Sequence, residues 1–113
     1  MGFFGSIFGG GAGARDINTC LAEARDVRGA VVLDVREKDE FTSGHVAGAI
    51  NVPVGSISGA KRVVPRTDTP VYVYCLSGAR ASNAVSSLAR MGYTNVVNAG
   101  GINRWRGDIV RGA

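Results

Sequence analysis

The sequence is poor in the residues from which metal centres, membrane spans and nucleic-acid grips are built. Its 113 residues hold one histidine and two cysteines. Cys20 and Cys75 are too far apart for a CxxC pair or a zinc-ligand spacing, and no carboxylates cluster with His45, so no metal site is expected. Nowhere does an apolar stretch approach the ~20 residues of a transmembrane helix. The formal charge is +4 and the pI near 9.6. Yet the basic residues are scattered from Arg15 to Arg111 without interleaved aromatics, which argues against nucleic acid as a partner. Arg104, Arg106 and Arg111 read as a solvated face that can raise the encounter rate of small anions. With 45% apolar and 19% charged residues, the chain is expected to form one domain with a modest core, monomeric and cytoplasmic.

Residues 1–14 differ from everything after them. They combine Phe3, Phe4, Ile7 and Phe8 with many glycines and no charged side chain, a composition that cannot sustain a helix. A basic n-region is missing, so the segment makes a poor signal peptide. Gly2 and Ser6 match a lipidation pattern, but the motif is short and unspecific. The expectation is a flexible tail before a domain at 15–113, its aromatic side chains available to the domain, a partner or a membrane surface.

From Ile17 the pattern alternates between helix and strand. A short helix over 18–26 has Asn18 as its N-cap and Gly29 beyond its end. Residues 30–33 are a continuous apolar run of the kind found in a strand buried on both faces. One or two helical turns follow over 37–42, a strand over 49–53, and a weak helix over 56–64. Residues 71–74 alternate as a strand, 79–91 carry helical periodicity closed by Gly92, and 95–98 supply a last strand. Gly100 and Gly101 then turn into a final helix through Trp105. Strands separated by helices imply a parallel sheet covered on both faces, with ligand sites beyond the carboxyl ends of the strands. Asp34, Arg36 and Cys75 fall at such ends, around one crevice.

Cys75 heads the loop Cys-Leu-Ser-Gly-Ala-Arg, residues 75–80. Backbone N–H groups at the start of the following helix converge on such a sulfur, and the helix dipole and Arg80 favour thiolate over thiol. Gly78 permits the tight turn, Ser77 and Ala79 keep the rim open and the sulfur accessible, and Arg80 can anchor the loop or hold an anion. Cys75 is therefore the candidate nucleophile. Asp34 can pair with Arg80 or cap the next helix, Arg36 can pair with Glu40, and His45 reads as a hydrogen-bonded structural residue. Phe41 and Trp105 are core candidates. Cys20, on the apolar side of its helix, is expected to be a buried inert thiol.

With these residues in place, the chain resembles the rhodanese-like family of sulfurtransferases. Residues 33–53, LDVREKDEFTSGHVAGAINVP, look like its first signature, and 91–105, MGYTNVVNAGGINRW, are similar to its closing segment. The resemblance implies a central, mostly parallel five-stranded sheet with helices on both faces. It also implies sulfane-sulfur transfer from thiosulfate or a persulfide, through a Cys75 persulfide, to cyanide, a thiol or a protein acceptor. The backbone of Leu76, Ser77, Gly78, Ala79, Arg80 and Ala81 would cradle the persulfide, and no metal or organic cofactor is implied. Two rivals stand beside this reading. A cysteine phosphatase needs five residues between Cys and Arg, and here there are four. A non-catalytic binding module commonly loses the nucleophile, and here Cys75 is kept. The thiosulfate-using pattern often places basic residues where this chain has Leu76 and Ala79, so a persulfide donor suits the rim better.

Overall fold

The structure is a computed structural model that describes residues 14–113. The tail expected at 1–14 therefore lies outside the described residues, apart from Ala14. The order is α1 (Ile17–Asp26), β1 (Val31–Asp34), α2 (Lys38–Ser43), β2 (His45–Val46) and β3 (Ile50–Asn51). A 3-10 segment (Val54–Gly59), α3 (Ala60–Val63), β4 (Val71–Cys75), α4 (Ala79–Arg90) and β5 (Val96–Gly101) follow. A last 3-10 turn (Ile102–Arg104) leads to β6 (Ile109–Val110).

Among the described residues, four strands form the main sheet in the order β3-β1-β4-β5, all parallel. The architecture is the expected α/β one, but the sheet has four strands and not five. The two remaining short strands, β2 and β6, pair antiparallel as a separate ribbon, which sequence pattern alone did not show. Crossovers through helices put β1 and β4 at the centre, and this explains why β4 reads as an unbroken apolar and aromatic run: every residue from Val71 to Cys75 is buried.

Alternation along β4 divides the core in two. Val71, Val73 and Cys75 pack with Leu33, Ala81, Ala84, Val85 and Leu88, on the face covered by α4. Tyr72 and Tyr74 pack with Ile17, Cys20, Leu21 and Val97, on the face covered by α1. Each buried aliphatic side chain is worth roughly 1.5–3 kcal/mol against exposure, so both faces are needed to hold a domain this small. The tyrosine hydroxyls are not stranded in this core. Tyr72 donates to Glu23 at 2.6 Å, and Tyr74 accepts the Val46 N–H at 3.1 Å.

Local chemistry moved several boundaries. Asp16, not Asn18, caps α1 by accepting the Thr19 N–H at 3.0 Å. Asn18 instead ties down the chain's far end, donating to the Arg104 carbonyl and accepting the Arg106 N–H. Gly92 takes φ +100 just past α4, as a helix-closing glycine should. The expected final helix is only a 3-10 turn, because β5 runs on through Gly100 and Gly101.

Candidate active site

Cys75 is the last residue of a central strand, and Gly78 is the N-cap of α4 with φ +113. That left-handed turn, cheap only for glycine, folds the loop back over the sulfur. The Cys75 Sγ accepts the N–H of Gly78 at 3.0 Å and that of Ala81 at 3.3 Å. The sulfur thus sits at the positive end of a twelve-residue helix with two amides aimed at it. The expectation of an accessible sulfur is corrected: Cys75 is 1% exposed. The rim above it is open, with Leu76, Ser77 and Ala79 exposed.

β5 supports this loop from beneath. A Cβ added at Gly101 would lie 2.3 Å from the Leu76 carbonyl oxygen and 2.6 Å from Ser77 Cα, so the loop rests directly on bare backbone. The Asn103 N–H donates to that same Leu76 carbonyl at 3.1 Å. The side chain of Asn98, buried at 3% exposure, donates to the Gly78 carbonyl at 3.3 Å. Sequence reading missed these supports. A Gly-Gly pair late in a strand is, however, a signal of close backbone approach.

The charged groups exchange partners relative to the expectation. Arg80 does not meet Asp34; it forms a two-pronged pair with Glu40, at 2.7 and 3.1 Å. Arg36 does not meet Glu40; it pairs with fully buried Asp34, its Nη2 at 2.7 Å from Oδ2, and also donates to the Gly44 carbonyl. Asp34 further accepts the Arg36 N–H at 2.9 Å, so it closes a turn after β1 and caps no helix. Glu40 reaches back to the Glu37 N–H at the start of α2. Its bonds from Arg80, and secondarily from that amide, bring its carboxyl down to about 2. Glu40 is therefore the anchor of the loop's arginine, a role that was one of two open to Asp34 in the sequence reading.

The other singled-out residues lie apart from the sulfur. His45 bonds the Phe41 carbonyl at 2.8 Å and stacks on the Phe41 ring at 3.6 Å. Phe41 is buried and Trp105 half-buried. Cys20, on α1, is fully buried against the sheet, and burial pushes its thiol up to about 11, which suits an inert residue. A groove of about 370 Å³ between α1, β1 and Trp105 does not include Cys75. No group of three or more possible metal ligands occurs among the described residues. No helix among them is long and apolar enough to cross a membrane.

The family profile described as Rhodanese-like domain matches residues 18–108. An uncharacterized protein of Bacillus subtilis, YqhL, is 41% identical over 83 residues, 73% of this chain and 65% of that protein. The thiosulfate sulfurtransferase PspE of Escherichia coli is 39% identical over 71 residues, covering 62% of this chain and 68% of that one. Among solved structures, a rhodanese with anions from E. coli superposes with a TM-score of 0.69 at 36% identity, over 74% of this chain and 99% of that chain. With a profile match across most of its length, the chain belongs to the family of rhodanese-like domains.

Proposed function

We propose that this protein is a sulfurtransferase that carries a sulfane sulfur on Cys75, with residues 15–113 as the working domain. The observation that carries the proposal is the pair of N–H bonds on the Cys75 sulfur at the start of α4. With thiosulfate as donor, the thiolate attacks the outer sulfur, the sulfur–sulfur bond breaks, and sulfite leaves with the bonding pair. The product is a Cys75 persulfide anion, one atom longer, whose terminal charge reaches the ring of loop amides. Cyanide or a thiolate then attacks that terminal sulfur, and the Cys75 thiolate departs with its electron pair restored. No net proton is moved in either step when both nucleophiles are anions. Preorganised amides matter here because charge appears on a sulfur absent from the resting site.

The rim narrows the donor. Leu76 is 47% exposed and Ala79 is exposed, so the entrance presents apolar surface, and the Arg80 charge is already engaged by Glu40. A divalent oxyanion finds few free cations there. A persulfide on a small thiol or on a protein is the better-matched donor, and a thiol the better-matched acceptor. Phosphoryl transfer fits poorly, since four residues between Cys75 and Arg80 leave too small a ring of amides for a phosphate.

One observation favours a second reading, a binding module without turnover: the sulfur itself is buried. The two readings separate by mass spectrometry. After exposure to thiosulfate or a thiol persulfide, the purified protein should gain the mass of one sulfur atom on the peptide containing Cys75, and cyanide should remove it. Cys75→Ser should neither gain sulfur nor turn over, while melting as the parent does, and Cys20→Ser should keep most activity. If no donor loads Cys75, or if Cys20 is the loaded residue, the proposal fails.

A further inference from the structure

We infer that Asn98 is a positioning residue for the Cys75 cradle, an inference that rests on the sulfurtransferase reading and deepens it. Gly78 donates its own N–H to the sulfur and passes through φ +113. A glycine there is free of Cβ sterics, so the orientation of the peptide that follows depends on the bonds its carbonyl makes, one from within α4 and one from outside it. The Gly78 carbonyl accepts the Ser82 N–H at 2.9 Å and the Asn98 Nδ2 at 3.3 Å. A peptide is planar, with its C=O and N–H opposed. Holding the Gly78 oxygen therefore directs the Ala79 N–H out of the N-terminal end of α4, the end that the sulfur occupies.

Asn98 is itself immobilised. Its Oδ1 accepts the Gly100 N–H at 2.8 Å, and its backbone carbonyl accepts the Arg15 N–H at 2.9 Å. One face of its amide must accept and the other must donate, so only one amide orientation satisfies both Gly100 and Gly78. The residue sits where β5 shifts register: Val73 lies opposite Asn98 but Tyr74 opposite Gly100. That irregularity sets the side chain beneath the loop. Asn98 touches neither the sulfur nor, on this reading, the substrate; it acts through the Gly78–Ala79 peptide.

Two near-isosteric variants test this. Asn98→Asp keeps the acceptor for Gly100 and loses the donor for Gly78; Asn98→Leu loses both. Single-turnover loading of Cys75 by a thiol persulfide, and its discharge by cyanide, are followed from pH 8 down to pH 5 in folded protein and divided by the wild-type rates. At pH 8 both variants should fall roughly ten-fold, less than the loss expected for a donor that touches the charge directly. As pH falls, the aspartate ratio should climb back toward one, because burial against the Gly78 oxygen raises the introduced carboxyl above its ordinary value of about 4 and, once protonated, it offers an O–H to that oxygen, while the leucine ratio stays low. Ratios near one throughout would overturn the inference, and so would an aspartate deficit that does not lift with acid. If neither variant folds, Asn98→Ser takes their place, a reduced rate supporting the role and a full rate overturning it. Should the wild type take up no sulfur at all, the sulfurtransferase reading fails separately. The same ratios measured on iodoacetamide alkylation of Cys75 would then still report on Asn98.

Discussion

A carboxylate that accepts from a guanidinium and a backbone amide together keeps its charge into acid, and Glu40 does so at the edge of the loop. Its carboxyl lies at about 2, against an ordinary 4.5. A folded-state value below the unfolded one adds stability that is complete above the ordinary value and disappears as pH falls toward about 2. The Glu40 and Arg80 side chains are both about a third exposed, so solvent screening holds the contribution to about 1 kcal/mol or less. Denaturant melts of wild type and Glu40→Gln should differ at pH 6, converge below pH 4.5, and coincide near pH 2. A constant difference across that range would place the effect in packing and not in charge.

At Ala79 the expected change is a gain. The residue is exposed and opens α4 beside the rim, so Ala79→Lys sets an ammonium near an arriving oxyanion. One charge-assisted contact is worth about 1.5–3 kcal/mol, and kcat/KM for thiosulfate should rise by ten-fold or somewhat more. An unchanged value would show that rim charge does not limit this donor. The strand–loop–helix path through Cys75 was legible from sequence because its three elements are contiguous. Partner choice between Asp34, Arg36, Glu40 and Arg80 was not. It depends on how α2 sits against the sheet, and any opposite charge within reach satisfies the sequence equally well.

Among the elements, those with ten or more residues or a full apolar run were readable, since their periodicity is sampled over several turns or a whole strand. The β2–β6 ribbon was not: two residues on each side carry no period, and their pairing joins positions more than sixty apart. The cap of α1 slipped from Asn18 to Asp16 because both residue types cap, and only the first helical turn decides between them. β5 hid its function for a related reason. Its glycines look like an exit from the strand, while in the structure they are its working surface. Gly101→Ala tests this. A methyl group cannot coexist with the Leu76 carbonyl at 2.3 Å, so the loop must shift. Stability should fall by about 1–3 kcal/mol, with sulfur loading of the remaining folded protein reduced further. A variant that is destabilised but loads sulfur at the full rate would show that the loop tolerates displacement.

For the whole molecule, the division of the core by β4 explains how a domain of this size positions a site. One face carries α4, whose start meets the sulfur; the other carries α1, whose start is tied by Asn18 to the segment after β5. Parallel strands and two-sided covering followed from the sequence pattern, whereas the fifth strand implied by resemblance does not appear in the main sheet among the described residues. A sheet also has two outer borders, and these bear on behaviour in concentrated solution. The border at β3 is only two residues long, too short a template for another chain. The border at β5 is six residues long and starts with Val96 and Val97. There the Arg15 N–H occupies the Asn98 carbonyl, so the arriving backbone stands where a foreign strand would otherwise dock. Protein that starts at Ile17 should therefore self-associate in proportion to concentration, seen as a growing fast-sedimenting fraction in analytical ultracentrifugation. Protein that starts at Ala14 should remain a single sedimenting species.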